Sequence, residues 1–350
     1  MSYLKSSFRH PNAKVNDIGF TKKDYEGALS TLCAGCGHDS ISAAIVESYF
    51  AMNIEPHKVA KISGIGCSSK TPTYFLGKAH GFNSVHGRMP SVATGANMAN
   101  RDLQYIGVSG DGDTASIGMG QFAHIVRRNL NIIYIVMNNG CYGLTKGQDS
   151  ATTDIGSASK KGAPNQFSSI DLCQMALQLG AGYVARSFSG DKNQLVPLIK
   201  GAIEHQGFAF IDVISPCVTF NNTASSTKGY EYVRDHLEAT GTIDFVPHRQ
   251  ELKIKQPDGT SKEVELHDGS KLVLQKNKND YDLTSKREAM NNIESVREQE
   301  KILTGLIYAN KDLPDTHQKI NTVSKPLNSL NKDELCPGSG ILDALNAGFR

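Results

Sequence analysis

The sequence predicts an α/β fold in which a mostly parallel sheet carries helices on both faces. Short, nearly continuous apolar runs alternate with stretches whose apolar residues recur at helical spacing. Gly or Asn closely follows each helical stretch, and these residues commonly end helices. The alternation extends from about residue 31 to residue 225. Such an order of elements is typical of parallel strands that are buried on both faces.

Individual elements follow from these patterns in chain order. Four apolar runs are predicted strands: Val59–Ser63, Leu103–Ser109, Asn131–Met137 and Ala209–Ile214. Four stretches are predicted helices: Ser40–Phe50, Met119–Arg128, Ile170–Leu179 and Leu195–His205. The resulting organisation is an N-terminal arm (1–30) lying on another surface, a main domain (31–240) and a charged C-terminal extension (241–350), for which we predict a role in subunit contact. Within the extension we predict a small hairpin around Asp268-Gly269 and a helix from about Ser285 to Leu303.

Composition excludes several classes of protein. The 350 residues include 37 Lys and Arg against 35 Asp and Glu, a formal charge of +2, which gives no electrostatic footprint for nucleic acid. No apolar run reaches the length of about 18 residues that a membrane helix requires, and the first residues lack the apolar core of a signal peptide. We therefore expect a cytoplasmic protein. Its seven cysteines, an odd number, fit metal ligation better than a set of disulfides.

Two loops at the carboxyl ends of predicted strands carry donors for magnesium and a diphosphate. One strand leads into Gly110-Asp111-Gly112-Asp113 and the next ends at Asn138-Asn139. Mg²⁺ prefers oxygen ligands and usually takes one or two carboxylates beside phosphate oxygens. Asp111 can supply a carboxylate, Asn139 an amide oxygen and Cys141 a backbone carbonyl. The Gly-Asp-Gly tripeptide alone is also compatible with an ordinary strand-to-helix turn, but the pair at this spacing is typical of thiamine-diphosphate enzymes.

Four cysteines form a candidate ligand set: Cys33, Cys36, Cys67 and Cys217. Thiolates suit zinc and iron–sulfur clusters alike, so the ligand type does not decide the metal. The spacing of one close pair and two distant residues favours a cluster, while structural zinc and a redox-active pair stay open. We interpret the thiols of Cys141, Cys173 and Cys336 as having no role in chemistry.

Five separated motifs together resemble the β subunit of 2-oxoacid:ferredoxin oxidoreductases. They are Cys33-Ala-Gly-Cys36-Gly-His, Gly64-Ile-Gly-Cys67-Ser, Val85-His-Gly-Arg88, Gly110-Asp-Gly-Asp113 and Tyr142-Gly-Leu-Thr-Lys-Gly-Gln148. The resemblance covers roughly residues 25 to 240 and implies a thiamine-diphosphate-binding fold of the diphosphate type. Motifs in the extension, such as Thr304-Gly-Leu-Ile-Tyr, resemble the two-subunit 2-oxoglutarate branch of the family.

The resemblance also implies roles for single residues. It places Mg²⁺ on Asp111, Asn139 and the Cys141 carbonyl, and one [4Fe-4S] cluster on the four cysteines Cys33, Cys36, Cys67 and Cys217. It places thiamine diphosphate contacts on Ile65, Gly66, Cys67, Ser68, His86, Gly112, Asp113, Gly143 and Leu144. It places Lys70, Leu144 and Lys146 near the side chain of the 2-oxoacid.

The activity implied by the resemblance is CoA-dependent oxidative decarboxylation of a 2-oxoacid, with electrons passing through the cluster to ferredoxin, or the reductive reverse. We expect 2-oxoglutarate as substrate and succinyl-CoA as product, because a lysine cation would suit the second carboxylate. In the family, the glutamate that activates thiamine lies on a separate pyrimidine-binding domain. We therefore expect an α subunit as partner and an α2β2 assembly.

Three alternatives stay open at this stage. A pyruvate-specific or broad 2-oxoacid oxidoreductase would use the same cofactors. A non-oxidative thiamine-dependent decarboxylase or synthase would keep the magnesium site and need no cluster. A structural zinc protein would keep the cysteines and need no thiamine. Measured iron, sulfide and thiamine contents would distinguish the last two from the oxidoreductases.

Overall fold

A computed structural model describes residues 10–157, 163–221, 226–239, 261–265, 271–275, 281–336 and 338–349. The strands are β1 Val59–Ser63, β2 His80–Asn83, β3 Gln104–Gly110, β4 Ile132–Asn138, β5 Cys141–Tyr142, β6 Gln148–Asp149, β7 Tyr183–Phe188, β8 Phe208–Ile214, β9 Leu237–Ala239, β10 Ser261–Glu265, β11 Lys271–Gln275 and β12 Ile302–Ala309. The helices are α1 Gly37–Ala51, α2 Met89–Ala99, α3 Met119–Arg128, α4 Leu172–Leu179, α5 Lys192–Glu204, α6 Tyr230–His236, α7 Lys286–Glu298, α8 Thr316–Lys319, α9 Lys332–Leu335 and α10 Ser339–Ala347. Residues 1–9 of the predicted arm and the predicted Asp268-Gly269 turn lie outside these ranges.

One eight-stranded sheet organises the described chain, in the order β2-β1-β3-β4-β8-β7-β12-β9. All of its neighbouring strands run parallel except β12 and β7, which are antiparallel. The prediction of a mostly parallel α/β sheet is confirmed. No helix among the described residues is both long enough and apolar enough to cross a membrane.

Helices cover both faces of the sheet, as predicted. On one face α1 and α5 bury residues such as Ile45 and Leu198 against the strands. On the other face α2, α3, α4 and α7 contribute residues such as Phe122 and Ile293. All seven residues of β4 are buried, because this strand lies at the centre of the sheet between the two layers.

The two ends of the chain also pack on this sheet. The sequence predicts that the N-terminal arm lies on another surface, but Tyr25 is fully buried in the core beside α1. This ring packs edge-on against Phe50, and the backbone of Gly27 and Ala28 bonds to residues 73 and 74, so this part of the arm belongs to the chain's own fold. From the extension, β12 enters the main sheet and α7 packs against it.

Candidate cofactor site

The predicted cofactor residues meet in a single cleft at the carboxyl ends of β1, β3 and β4. Open α/β sheets place their ligands at this edge. The cleft is lined by His38, Ile65, Gly66, Cys67, Ser68, His86, Gly110, Asp111, Gly112, Asp113, Met137, Asn139, Cys141, Tyr142, Gly143, Leu144 and Thr145. This lining contains all nine residues predicted to contact thiamine diphosphate and all three predicted to bind Mg²⁺.

Asp111 is a buried carboxylate without a cationic neighbour among the described residues. It is 1% exposed. Its Oδ1 accepts the backbone N–H of Asn139 at 3.3 Å, and its Oδ2 accepts the hydroxyl of Thr152 at 2.7 Å and that of Ser150. Burial raises the pKa of Asp111, and these hydrogen bonds oppose the shift. A bound cation would compensate the buried charge, so this group fits the role of a magnesium ligand.

Asn139 and Cys141 stand next to Asp111 in one bonded loop. The Oδ1 atom of Asn139 accepts the N–H of Cys141 at 3.1 Å, which holds the amide and the following turn together. The Nδ2 group of Asn221 donates to the carbonyl of Asn139 at 2.8 Å and fixes this loop from the opposite side. The donor set is thus one carboxylate, one amide oxygen and one carbonyl, all oxygen ligands of the kind that Mg²⁺ prefers.

Two glycines of the cleft lie against neighbouring side chains, and at Gly112 there is no room for a Cβ atom. A Cβ atom on Gly112 would lie 2.4 Å from the ring of Tyr142, whose hydroxyl donates to the Gly112 carbonyl at 3.1 Å. A Cβ atom on Gly143 would lie 3.5 Å from the sulfur of Cys217 and 3.8 Å from that of Cys67. Gly143 therefore connects the predicted diphosphate cleft with the predicted cluster ligands.

The four cysteines of the candidate set approach one another and none forms a disulfide. The thiols of Cys36 and Cys67 each interact electrostatically with that of Cys217, and Cys67 interacts with Cys33 as well. Thr219 donates to the sulfur of Cys33 at 3.7 Å. Residues from three separate loops are thus brought together beside the cleft.

Cys217 differs electrostatically from its neighbours. A hydrogen bond from the thiol of Cys141 and backbone N–H bonds from residues 219–221 lower the pKa of Cys217 to about 6. Burial instead raises the pKa of Cys36 to about 11. A thiolate is the form that ligates metal, and the lowered pKa of Cys217 favours that form.

No group of three or more His, Cys, Asp or Glu side chains in the described ranges is arranged to hold a single metal ion. A tetrahedral zinc site would need four ligand atoms at about 2.0–2.3 Å from one point. The four thiols do not form such a site. An iron–sulfur cluster is larger than a single metal ion and is also held by Cys thiolates. The four free cysteines therefore fit a cluster chemically.

The sequence patterns did not predict several residues that shape this site. Ser150 and Thr152 bond Asp111 directly. His38 donates to or accepts from Ser215 at 2.6 Å through Nδ1, which ties the loop of Cys36 to that of Cys217. Burial lowers the pKa of His38 to about 4, so the imidazole is neutral at pH 7.

Of the three residues predicted to lie near the substrate, one lines the cleft and two do not. Leu144 lies at the mouth of the cleft and is 54% exposed. Lys146 follows it on the surface, in the left-handed backbone region with φ of 82°. The ammonium of Lys70 is 3.4 Å from the carbonyl of Thr31. Neither lysine is among the residues that line the cleft.

Comparison with known proteins supports the same interpretation. Residues 64–213 match the family model described as thiamine pyrophosphate enzyme, C-terminal TPP binding domain. The chain is 38% identical over 240 residues to subunit beta of 2-oxoacid:ferredoxin oxidoreductase 2 from Aeropyrum pernix, a match covering 67% of this chain and 76% of that relative. This chain belongs to the 2-oxoacid:ferredoxin oxidoreductase β-subunit family.

Two further members show how far the likeness extends. The 2-oxoacid:ferredoxin oxidoreductase subunit beta of Saccharolobus solfataricus is 42% identical over 199 residues, covering 57% of this chain and 65% of that relative, slightly less than two thirds of its length. The solved structure of 2-oxoglutarate:ferredoxin oxidoreductase from Magnetococcus marinus with 2-oxoglutarate, coenzyme A and succinyl-CoA bound superposes with a TM-score of 0.72 at 30% identity, covering 95% of this chain and 97% of that one. The predicted thiamine-diphosphate-binding fold is confirmed.

Proposed function

We propose that this chain is the β subunit of a 2-oxoglutarate:ferredoxin oxidoreductase and binds thiamine diphosphate through Mg²⁺ in the cleft. The observation that carries the proposal is the buried carboxylate of Asp111, which lacks a cationic neighbour within the described residues. It lies beside the Asn139 amide and the Cys141 carbonyl. In an α/β sheet of this family, such a donor set at the strand ends suits a magnesium diphosphate.

The chain's own residues then bind and orient the cofactors. Asp111, Asn139 and the Cys141 carbonyl would hold Mg²⁺. The absence of a side chain at Gly112 makes room for the ring of Tyr142, which packs against this part of the cleft. The neutral imidazole of His38 would fix the spacing between the Cys36 and Cys217 loops. When bound, thiamine diphosphate supplies the electron sink for decarboxylation and the cluster supplies a one-electron carrier.

We propose a [4Fe-4S] cluster on Cys33, Cys36, Cys67 and Cys217. The support is the convergence of four reduced thiols beside Gly143 and the hydrogen bonds that stabilise the Cys217 thiolate. The cluster would pass electrons to ferredoxin, the acceptor named in the relatives. Coenzyme A, which is bound in the solved relative, would be the second substrate.

A partner subunit is part of this proposal. Exposed apolar side chains occur at and near the cleft. Leu144 lines it and is 54% exposed, while Val85, at 69%, precedes the lining residue His86 and Ile117, at 45%, follows the lining residues 110–113. An exposed apolar surface of this kind commonly marks an interface. It suits an α subunit that carries the pyrimidine-binding domain and closes the cleft, in an α2β2 assembly. The cytoplasm remains the predicted compartment.

The substrate follows less directly from the geometry. The family structure with bound 2-oxoglutarate supports that substrate. Acceptance of pyruvate or of a broad range of 2-oxoacids is the second candidate, favoured by the position of Lys70 and Lys146 outside the cleft wall. Reorientation of either lysine on assembly with the α subunit would favour the dicarboxylate.

The decisive experiment is methyl-viologen reduction by the anaerobically purified complex of this chain with its α subunit, in the presence of coenzyme A. We expect CoA-dependent turnover of 2-oxoglutarate that exceeds turnover of pyruvate. Activity with pyruvate alone would keep the family function and contradict the proposed substrate. A complex with full iron, sulfide and thiamine contents that reduces no viologen would contradict the proposed activity.

The variant Asp111→Asn provides the matched test of the site. It keeps the size and a hydrogen-bond acceptor but removes the charge that would bind Mg²⁺. We expect Mg²⁺-dependent thiamine diphosphate binding to be lost while the cluster absorbance is retained. Unchanged cofactor binding in this variant would contradict the assignment of Asp111.

A further inference from the structure

Asp113 has a different environment from Asp111, two residues earlier in the same loop. It is 4% exposed, and both of its carboxylate oxygens accept hydrogen bonds from the protein. Oδ1 accepts the backbone N–H of Gly87 at 2.7 Å, and Oδ2 accepts the hydroxyl of Ser109 at 2.8 Å. A Cβ atom on Gly64 would lie 1.8 Å from Oδ2, so the carboxylate fits against this glycine as well. One side chain thus contacts the loops after β1 and β2 and the end of β3.

These three segments are the ones that carry the predicted cofactor contacts. Gly64 follows β1 and precedes the segment 65–68, while Gly87 follows His86. Ser109 is the last residue but one of β3, and Gly110 ends this strand just before the helical turn that contains Asp113. Gly87 has a φ of +67°, and a Cβ atom there would lie 2.8 Å from the backbone of Gly118, so this loop is enclosed on its other side too. The position of Asp113 therefore fixes the distances between the walls of the cleft.

A direct role for the carboxylate in cofactor binding is disfavoured by charge. Thiamine diphosphate brings an anionic group, and an anionic side chain facing it without a cation between them would raise the free energy of the complex. Both oxygens of Asp113 are instead directed to protein donors. Hydrogen bonds to a buried carboxylate offset the loss of its hydration.

We propose that Asp113 is a positioning residue that sets the width of the diphosphate cleft by joining the loops after β1, β2 and β3. The proposal rests on the proposed function, because it concerns the affinity of the same cleft. Binding residues must be held within about 0.5 Å of the productive geometry, so loosened loops should lower cofactor affinity even with every contact residue present.

Three variants test this role in the complete α-β complex. Asp113→Asn keeps an oxygen for the Gly87 N–H and can donate to Ser109, so we expect the Kd for thiamine diphosphate to stay within about threefold of wild type. Asp113→Ala removes both bonds, and we expect a Kd at least about tenfold higher, since loss of a group that orients ligand residues typically costs about 10- to 100-fold. Gly64→Ala leaves Asp113 itself unchanged but displaces its carboxylate. This variant should therefore also raise the Kd for thiamine diphosphate.

The measurement is isothermal titration calorimetry with thiamine diphosphate at a fixed Mg²⁺ concentration. Gly120→Ala is the matched control, since a Cβ atom there meets no atom within 4 Å, and it should bind as wild type does. Gly64→Ala and Asp113→Asn suffice if Asp113→Ala does not fold.

Each outcome decides between the interpretations. Equal losses in Asp113→Asn and Asp113→Ala would show that the charge itself is needed and would overturn the positioning role. Wild-type affinity in Gly64→Ala would overturn the contact argument. Failure of the wild-type complex to bind thiamine diphosphate would instead overturn the proposed function.

Discussion

The carboxylate of Asp111 is oriented by the hydroxyl groups of Ser150 and Thr152, which both bond Oδ2. Because they act on the same oxygen, they fix the rotation of the carboxylate and leave Oδ1 beside Asn139. Groups that orient a metal ligand typically contribute about 10- to 100-fold to metal affinity. The two hydroxyl groups therefore belong to the candidate magnesium site.

Replacing Thr152 by Val keeps the shape of the side chain and removes the hydroxyl donor. We expect the Mg²⁺ concentration required for half-maximal thiamine diphosphate binding to rise about tenfold, because Asp111 loses one of its orienting bonds. Thr152→Ser keeps the donor and should bind nearly as wild type does. Equal affinities in the Val and Ser variants would contradict the orienting role.

The site residues differ in how well the sequence predicts them. Asp111 and Asn139 follow from a motif pair whose chemistry and spacing are specific. Ser150 and Thr152 have no such pattern, because a pairing between the two-residue strands β5 and β6 brings them to the site. Strands of two residues leave no periodicity in a sequence.

His205 illustrates a pH effect at a single residue. Its ring is packed beside Tyr183, and burial lowers its pKa to about 4. The unfolded chain, with a histidine pKa near 6.5, binds more protons between pH 4 and 6.5, so stability falls as the pH drops through this range.

We predict that the free energy of unfolding drops by about 2 kcal/mol more in the wild-type chain than in His205→Gln between pH 7 and pH 5. Urea unfolding of both proteins at the two pH values measures the difference. Other titrating groups are common to both proteins and cancel in the comparison. Parallel pH profiles would mean that His205 is not buried in its neutral form.

At the scale of elements, burial does not by itself decide which strands the sequence predicts. β4 is a continuous apolar run because both of its faces are covered. β7 is equally buried, yet it contains Arg186, whose charge interrupts the apolar pattern. Arg186 pairs with Asp171 at 2.6 Å and with Asp212 at 3.0 Å, partners that come from other elements and that no local pattern indicates.

Lys61 connects β1 to the turn that follows the cleft residue Ser68. Its buried ammonium donates to the carbonyls of Pro72, Phe75 and Leu76 at 2.6, 2.7 and 2.8 Å. Without this donor the carbonyls of Pro72 and Phe75 would lose the Lys61 bond in a buried position, while the carbonyl of Leu76 would keep only the N–H of Ala79 at 2.9 Å.

We predict that Lys61→Met lowers the free energy of unfolding by about 2–4 kcal/mol, because unsatisfied buried acceptors cost about 1–3 kcal/mol each and water can replace part of the loss. Urea unfolding of the wild-type chain and of the variant measures this change in the free energy of unfolding. The matched control is Lys58→Met, where the side chain is 64% exposed in a surface ion pair with Glu55 and should change stability by less than about 1 kcal/mol. Equal effects in the two variants would contradict the anchoring role of Lys61.

At the scale of the whole molecule, the last part of the chain does not contribute to the core. Every described residue from 331 to 349 is exposed. The helix α10 presents Ile341, Leu342 and Leu345 to solvent at 50%, 58% and 59% exposure. Exposed apolar side chains on one helix favour the predicted role of the extension in subunit contact.

Removing residues 331–350 should leave the thermal unfolding of the isolated chain unchanged and weaken its association with the α subunit. Size-exclusion chromatography with light scattering over a dilution series measures the association. The double variant Ile341→Asp, Leu345→Asp should weaken it in the full-length chain. A shortened chain that keeps the full complex and its activity would refute the contact role.

The position of β12 next to β7 has a consequence for handling the protein in pieces. A fragment that ends near residue 240 would retain the predicted cofactor residues but lose the strand that covers β7. The backbone donors and acceptors along this edge of β7 would then be open to pairing with other copies of the fragment, which promotes aggregation. Such a fragment is expected to form insoluble material, although it would contain every predicted cofactor residue.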